Sequence, residues 1–461
     1  MLNQDRAGEI FQKIRKYSTA DDVEVIFYGT RNALTRFANN VIHQNLAEEN
    51  IAVSVRTTFG GRTARATTNR VADASLKSVV QASENLARVQ QPDPDLLPMA
   101  SPQQMRDSSA ALPSRYFEQT AAITPEQRAA RVRDIVSVAG RHKLTTAGIV
   151  SNSETAEGIF NSRGIARWHT QTSSEISITM LAEDSSGWQK ANSPNVANLN
   201  AKSLAEIAAK KAADAARPRE IPAGKYTVIL EPAAVLDIIG FMFYDFGGLA
   251  ILDQRSFLTN RVGTKLFGEN INIVDDVGHP LQSGSPFDGE GVPRQKVQLV
   301  ENGVVKRLVY ARGSAERMKH SEFKDKVGSV EPTGHGFPLP NEIGEAPMNI
   351  VIGTPKEPRT VEQMIGAIER GILVTRLWYI REVDPYEKIL TGMTRDGTFY
   401  VEGGQVQYGV RNFRFNESLI HMLSNVEAMG TPVRASGEES FDMVVPAMMV
   451  GGFNFTEVTK F

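Results

Sequence analysis

The strongest constraint on the fold of this 461-residue chain is a series of local patterns that occurs twice in its first half. Residues 4–17 place apolar side chains at helical spacing, four short β-branched runs follow between 23 and 67, and residues 73–89 return to helical spacing. Gly60-Gly61 between two of the runs is a strong hairpin signal. The pattern predicts a module in the order α-β-β-β-β-α.

The same order returns further along the chain. Thr124, followed by proline and, three positions after the threonine, by glutamine, predicts a helix that begins with a capping box. Four strand-like runs between 146 and 182 and a helix at about 200–216 complete the second copy. Because Ser75-Leu76 aligns with Ser203-Leu204, we interpret the two copies as an internal duplication. Two unrelated α/β stretches with a similar rhythm remain the alternative.

Two changes of composition divide the chain into domains. Residues 91–116 contain five prolines with several serines and glutamines, which is typical of a linker. After a second boundary near 217–224, short strands with glycine-rich turns predominate. We predict an α+β fold, and the expected units are a duplicated α/β domain at 1–220, with repeats at about 1–90 and 120–218, and a β-rich, barrel- or sandwich-like domain at 221–461.

Composition excludes several classes of function. The chain contains no cysteine, which removes disulfides, iron–sulfur clusters and thiol nucleophiles. Lys and Arg total 51 against 53 Asp and Glu, with no basic block, which argues against nucleic acid as a partner. The polar first residues do not resemble a secretory signal, and no window approaches the ~20 apolar residues that cross a bilayer. We therefore expect a cytoplasmic protein with no membrane partner.

The histidine pattern bears on metal binding. None of the seven histidines precedes a glutamate or lies four or five residues from another, so the helical histidine pair of zinc peptidases is missing. His279, His320 and His335 all lie in the second half and could converge on a metal ion. The alternative is that they are ordinary loop or hydrogen-bonding histidines.

Two glycine-flanked segments of the second half carry paired charges and are candidate binding sites. The first lies just before a predicted strand and could orient a substrate or hold a cation, whereas its plain alternative is an acidic turn. The second offers hydroxyl groups beside an Arg–Asp pair, and its alternative is a hairpin turn with a surface ion pair. The charged residues are Asp288, Glu290 and Arg294 in the first segment, and Arg395 and Asp396 in the second.

Several segments stand in an order and spacing that resemble a known family. They are Arg36-Phe-Ala-Asn-Asn-Val-Ile-His-Gln, Phe287-Asp-Gly-Glu-Gly-Val-Pro, Leu299-Val-Glu-Asn-Gly-Val-Val, Thr333-Gly-His-Gly, Asn349-Ile-Val-Ile-Gly and Phe399-Tyr-Val-Glu-Gly-Gly. Together they resemble the TldD/PmbA family, whose members are labelled modulators of DNA gyrase. The resemblance extends over most of the chain and is weakest in the linker.

The resemblance implies one of two kinds of subunit. The catalytic kind in the family is a zinc peptidase with His-Glu-x-x-x-His on a helix of the second half and a later cysteine ligand, and its partner, the PmbA or TldE type, lacks these ligands. This chain has no His-Glu pair and no cysteine, and residues 232–248, where the helix is expected, are mainly apolar. It therefore resembles the PmbA type. The resemblance implies no catalytic residue or cofactor in this chain, and zinc only in a partner subunit.

From these observations we predict a non-catalytic, metal-free subunit of a TldD/PmbA-type metallopeptidase complex that binds extended or unfolded peptides for proteolysis. A strand-rich domain can bind such peptides by accepting them as an additional strand. The expected partners are a peptide substrate and either a TldD-like metallopeptidase subunit or a second copy of this chain in a dimer. Two alternatives remain, namely a self-associating peptide-binding protein without a protease partner and a peptidase with an atypical metal site. The residues predicted to bind peptide or a partner are Asp288, Glu290, Arg294, His335, Arg395 and Asp396.

Overall fold

The computed structural model describes residues 1–104 and 112–459 of the chain. The central part of the predicted linker, 105–111, lies outside the described residues. The helices of the first half are α1 (Gln4–Tyr17), α2 (Asp73–Val89), α3 (Glu118–Ala121), α4 (Pro125–His142) and α5 (Ala201–Asp214). Its strands are β1 (Asp22–Ala38), β2 (Val41–Phe59), β3 (Arg62–Thr68), β4 (Thr145–Asn161), β5 (Ala166–Leu181) and β6 (Ser186–Ser193).

The prediction of four short strands in each copy is wrong, because each copy contains three strands, two of them long. The segment from Gly29 to Thr35 looks turn-like in sequence but continues β1, and it pairs residue by residue with Asn45 to Ile51 of β2. Cross-strand pairing thus holds these polar residues extended where the local pattern indicates a break. The Gly60-Gly61 hairpin and the capping box at Thr124 are both confirmed.

The six strands form one antiparallel sheet in the order β3-β2-β1-β4-β5-β6. The first strand of each copy meets at its centre, where β1 pairs with β4 from Glu24↔Asn161 to Phe37↔Gly148. Helices α1 and α2 bury Ile14 and Val79 against one half of the sheet, and α4 and α5 bury Ile135 and Ala208 against the other. The order of one helix, three strands and one helix therefore occurs in both copies.

The second half is rich in strands. Its helices are α6 (Pro232–Ile239), α7 (Gly248–Leu252), α8 (Arg312–Lys319), α9 (Val361–Ala367) and α10 (Leu419–Ser424). Its strands are β7 (Gly224–Leu230), β8 (Ile273–Asp275), β9 (Val297–Glu301), β10 (Val304–Val305), β11 (Ile350–Ile352), β12 (Arg370–Asp384), β13 (Ile389–Glu402), β14 (Gln405–Gly409), β15 (Phe413–Ser418), β16 (Val426–Met429), β17 (Val433–Ala435), β18 (Met443–Val445) and β19 (Met448–Val458).

One sheet of the second half closes on itself. Strands β12, β7, β19, β15 and β13 pair in that order, and β13 pairs back with β12 to complete a barrel. A second sheet has the order β10-β9-β8-β11-β18-β17, and residues from both sheets and from α6 share one apolar core. The α+β fold class, with a barrel-like second half, is confirmed. Among the described residues, no helix has the length and apolar character needed to cross a bilayer.

The edge strand β6 connects the two halves. The Ser186 hydroxyl donates to Asp396 Oδ1 at 2.6 Å, and Asn192 Nδ2 donates to Asp442 Oδ2, also at 2.6 Å. Lys190 Nζ donates to the carbonyl oxygen of Gly437 at 3.0 Å. Polar side chains of β6 therefore contact both the barrel, through the predicted site residue Asp396, and the segment between β17 and β18.

Candidate functional site

The predicted site residues lie in two different places. Within the described residues, no hydrogen bond or ion pair joins one place to the other. The first, which we call the loop cluster, consists of Asp275, Asp288, Glu290, Arg294 and His335. The second, which we call the barrel groove, lies between β6 and the barrel and consists of Ser186, Arg376, Trp378, Arg395, Asp396 and Asn412.

The loop that carries Asp288 and Glu290 is fixed between the two halves of the molecule. Phe287 is buried against Ile159 and Ile165 of the first half. At Gly289, a Cβ atom would lie only 2.3 Å from the backbone nitrogen of Pro338, so the close approach of the two segments requires glycine. This packing shows that the loop is an internal connection between the halves.

Asp288 organises this loop through its carboxylate. Oδ1 accepts hydrogen bonds from the amides of Glu290 and Val292, and Oδ2 accepts one from the amide of Gly336, each at 2.9 Å. Burial, and then the neighbouring Glu290, raise the pKa of Asp288 to about 7, while the three amide hydrogen bonds oppose the rise. The side chain thus cross-links two segments and has no outward-facing acceptor.

Glu290 is also held by protein groups. One oxygen accepts from the Arg312 amide, and the other lies 3.3 Å from the Arg312 guanidinium. Glu290 and Glu345 line a cavity of about 190 Å³. The carboxylate of Glu345 accepts from the amide of Leu249 and the hydroxyl of Ser314, both at 2.7 Å, and burial raises its pKa. The acidic character of this cavity therefore comes mainly from carboxylates that already have partners.

His335 lies in a fully buried contact with Asp275. Its Nε2 lies 3.0 Å from Asp275 Oδ1, and its Nδ1 lies 2.9 Å from the hydroxyl of Thr333. Asp275 Oδ2 accepts from the amide of Asn349 at 2.8 Å. Burial alone would raise the pKa of Asp275, but His335 and Arg294 lower it below its ordinary value. The pair is a core contact that a ligand cannot reach in this conformation.

The segment expected to carry zinc ligands in the catalytic kind of subunit does not fit zinc. In residues 232–246, the acidic side chains are Asp237 and Asp245. Asp237 Oδ1 accepts from the amides of Glu438 and Glu439 at 3.0 Å each, and burial raises its pKa to about 7. Asp245 forms an ion pair with Lys388. With no imidazole or thiolate beside them, these residues lack the donor set of a zinc site.

The three histidines of the alternative metal site do not share a location. His320 is exposed immediately after α8, and its Nε2 lies 3.3 Å from Glu316 Oε1. The Nδ1 of His279 accepts from the amide of Leu281 at 3.2 Å, and His335 is buried as described above. Across the described ranges 1–104 and 112–459, no three or more His, Asp or Glu side chains are grouped so that they could hold a metal ion.

The segment 391–398 is not the loop or hairpin turn that the sequence predicts. It lies inside β13, where the pairing with β12 shifts register between Val374 and Arg376. At this irregularity Asp396 has φ 53° and Gly397 has φ 127°, and a Cβ atom at residue 397 would lie 2.5 Å from the Thr375 hydroxyl. The bulge therefore requires glycine, and it directs Asp396 inward.

Asp396 is the fixed member of the barrel groove. Its Oδ1 accepts from Ser186, and its Oδ2 accepts from two nitrogens of Arg376, with Nε at 2.8 Å. The Arg376 guanidinium lies 4.8 Å from the ring centroid of Trp188 and 5.4 Å from that of Trp378. The contact with Arg376 thus neutralises the Asp396 carboxylate. The hydrogen bonds to Asp396 and the stacking of Arg376 on two tryptophans hold the carboxylate in place.

Arg395 is the accessible member of the groove. Its side chain is 47% exposed, its guanidinium lies 4.9 Å from the Trp378 ring centroid, and its Nε lies 3.6 Å from Asp396 Oδ2. A cavity of about 240 Å³ is lined by Trp378, Arg395 and Asn412, and a second cavity of about 340 Å³ lies beside it. Both cavities share Ser186, Asp396 and Asn412 in their walls. The charged Arg395 and the aromatic Trp378 therefore both line a solvent-accessible cavity.

The sequence patterns did not indicate that Asp275, Arg376, Trp378 and Asn412 belong to a candidate site. The signal for Arg376 and Trp378 is their spacing of two residues, which places both on one face of a strand. That signal can be read only once β12 is recognised, and its residues were not predicted as a strand. Asp275 and Asn412 have no local signal, because their roles depend on partners distant in sequence.

Comparison with known proteins assigns the family. Three family models match the chain, and they describe PmbA/TldA metallopeptidase domain 1 at 23–87, the central domain at 118–216 and the C-terminal domain at 223–457. Among curated relatives, the Metalloprotease PmbA of Escherichia coli O157:H7 is 21% identical over 420 residues, which is 87% of this chain and 86% of that protein. A metalloprotease of Methanothermobacter thermautotrophicus is 23% identical over 66% of this chain and 68% of its own length.

Solved structures share the fold. The crystal structure of TldE from Thermococcus kodakarensis matches with a TM-score of 0.83 at 19% identity, covering 98% of this chain and all of that one. A Thermotoga maritima structure described as a candidate modulator of a DNA gyrase matches with a TM-score of 0.81 at 18% identity, over 98% of this chain and 100% of that chain. Since the C-terminal model alone spans more than half of the sequence, the chain belongs to the PmbA/TldD metallopeptidase family.

Proposed function

We propose that this chain is the metal-free subunit of a PmbA/TldD-type metallopeptidase complex, and that it binds extended peptides which a zinc-bearing partner hydrolyses. The observation that carries the proposal is the donor set of residues 232–246. Asp237 Oδ1 accepts from two backbone amides, Asp237 Oδ2 is buried with no hydrogen-bond partner among the described residues, and Asp245 forms an ion pair with Lys388. A hydrolytic zinc needs three protein ligands and an open position, whereas this segment contains no histidine or cysteine to complete such a set.

An unpaired strand edge supports the peptide-binding part of the proposal. Within the described residues, β2 pairs with β3 along Val53–Phe59 and has no partner on that side at residues 43–50, which are exposed. Residues 43–50 contain none of the lysines or prolines that commonly protect a sheet edge. A peptide added at such an edge would be held by main-chain hydrogen bonds, with little dependence on its sequence.

The proposed roles of the two subunits differ because this chain offers few groups that could activate water. This chain has no thiol, and its buried Asp288 and His335 are each engaged by protein groups. Without a metal ion or an activated nucleophile, the chain lacks the means to activate water for peptide hydrolysis. The partner subunit would supply that step, and this chain would hold the substrate in place.

The test is reconstitution with a family member that carries His-Glu-x-x-x-His. A quenched-fluorescence unfolded peptide is incubated with this chain alone, the partner alone and both together. We expect cleavage with both that exceeds the sum of the separate activities at least tenfold, and co-elution of the two chains in gel filtration. As a matched control, a partner with its motif glutamate changed to glutamine should co-elute but leave the peptide intact.

Two results would overturn the proposal. If this chain alone cleaves the peptide as fast as the mixture, it contains its own active site. If the two chains neither associate nor act together, while this chain binds peptide and self-associates, it is a binding protein without a protease partner.

A further inference from the structure

We propose that the barrel groove binds a carboxylate group of an extended peptide through Arg395 and Asn412, with Trp378 as an apolar wall. This inference rests on the proposed peptide-binding function and deepens it, because it assigns a site and a chemical preference. The groove is a surface cavity bounded by β6 of the first half and β13 of the barrel.

The charge of Arg395 is available to a ligand because the nearest carboxylate is already engaged. Asp396 accepts from Ser186 and from two nitrogens of Arg376, so its separation of 3.6 Å from Arg395 Nε is a weak additional contact. Among the described residues, the Arg395 guanidinium donates to no acceptor in hydrogen-bond geometry. A planar guanidinium of this kind suits two-point recognition of a planar carboxylate.

Asn412 supplies a donor on the same wall. Its side-chain oxygen accepts from the hydroxyls of Thr394 and Thr398, at 3.3 and 3.1 Å. The group of this side chain that can donate to a ligand is therefore its amide nitrogen. Asn412 lines both cavities, so its side chain belongs to the wall that they share.

The distribution of charge along the groove gives the ligand a direction. The cavity of about 240 Å³ contains Arg395 and Trp378, whereas the cavity of about 340 Å³ is lined by Glu183, Asp184 and Arg411. A carboxylate is expected at the Arg395 end, because Arg411 at the other end is outnumbered by the two acidic side chains beside it. The main chain of the peptide would then extend from Arg395 towards the β5–β6 turn.

Peptide binding to the full chain, measured by fluorescence anisotropy, tests this proposal. Three octapeptides of Gly, Ser, Ala and Leu are compared, each with an uncharged boron-dipyrromethene label that has no carboxylate. The first has a free C-terminal carboxylate, the second is amidated, and the third is amidated but contains one aspartate. We expect one or both carboxylate peptides to bind at least fivefold more tightly than the neutral one. The pair of carboxylate peptides shows whether a chain end or a side chain is preferred.

Variants connect this preference to the groove. Arg395→Ala should abolish the difference between carboxylate and neutral peptides, and Arg395→Lys should restore part of it. The matched control is Arg133→Ala, which removes an exposed arginine of α4 and should leave the difference unchanged. Thermal unfolding of each variant checks that the fold is retained.

The outcomes separate this inference from the proposed function. If all three peptides bind with equal affinity and Arg395→Ala changes nothing, the carboxylate site is wrong while peptide binding stands. If no peptide binds, both the site and the peptide-binding function are overturned. If the preference persists in Arg395→Ala, the carboxylate is bound elsewhere and the groove is not its site.

Discussion

The loop cluster and the barrel groove begin from the same sequence pattern and end in opposite environments. Each has an acidic and a basic residue beside a glycine, but Asp288 accepts three backbone amides inside the protein, whereas Arg395 is 47% exposed beside a cavity. In the loop cluster, the protein itself satisfies the charges. In the groove, Arg376 satisfies Asp396, and the Arg395 side chain remains exposed.

This difference shows what separates a structural charge from a binding charge. A buried carboxylate that accepts several amides fixes the backbone, and removing it leaves donors without partners. An exposed guanidinium that stacks on an aromatic ring contributes little to folding, and it keeps its capacity to bind. If this distinction is correct, substitutions in the loop cluster should destabilise the fold, and Arg395→Ala in the groove should not.

The largest effect is expected from breaking the buried pair in the loop cluster. His335→Ala removes the nearest partner of the fully buried Asp275 carboxylate, and breaking such a buried pair typically costs about 3–5 kcal/mol. Urea unfolding followed by circular dichroism measures the loss. The matched control is His320→Ala, which removes an exposed histidine and should change stability by less than about 0.5 kcal/mol. Similar losses in both variants would contradict the structural role of His335.

A somewhat smaller loss is expected from Asp288→Ala. Three amides, those of Glu290, Val292 and Gly336, would lose their acceptor in a buried site, at a combined cost of roughly 3 kcal/mol. Asp288→Asn keeps one acceptor oxygen and should cost less. The free energy of unfolding of both variants checks this order, and an alanine variant as stable as wild type would show that the loop needs no cross-link.

The loop cluster should also make stability depend on pH. The pKa of Asp288 is raised to about 7, above that of an unfolded aspartate, so the folded state binds the extra proton. Its contribution is fully present below about pH 4 and is lost as the pH rises through about 7. Between pH 5 and 7, the loss of this contribution should lower the free energy of unfolding by about 2 kcal/mol. Asp288→Asn should reduce that slope and leave the part due to Asp237, whose pKa is also raised to about 7, whereas an unchanged slope would mean that Asp288 does not contribute.

The smallest effect on stability is expected in the groove. Arg395→Ala removes an exposed cation that forms only a long ion pair with Asp396. The free energy of unfolding should therefore change by less than about 0.5 kcal/mol. Thermal unfolding at two salt concentrations checks this. A loss above about 2 kcal/mol would mean that Arg395 is structural, and the contrast between the two regions would disappear.

Local signals in the sequence predicted part of this fold. The capping box at Thr124 and the hairpin at Gly60-Gly61 depend on a few neighbouring residues, and both are present. The long strands were missed because the polar residues between Gly29 and Thr35 are held extended by pairing with β2 and β4, which no local window reveals.

The sequence likewise predicted only part of the candidate site. Arg395 and Asp396 could be identified from a charged pair between glycines, but their surroundings could not. The bulge that turns Asp396 inward depends on β12, and its neutralisation depends on Arg376 and on Ser186 from the other half of the chain. Whether a charge is buried or available is set by such distant partners, which a spacing pattern does not contain.

The central claim is that this chain supplies a substrate-binding surface but no hydrolytic metal site. The most direct test is the zinc content of the purified chain, and of its complex with a His-Glu-x-x-x-His partner, measured by mass spectrometry of the metal after dialysis. We expect no retained zinc in the isolated chain and one zinc per complex, bound by the partner. One zinc retained by the isolated chain, together with peptide cleavage that a chelator abolishes, would contradict it.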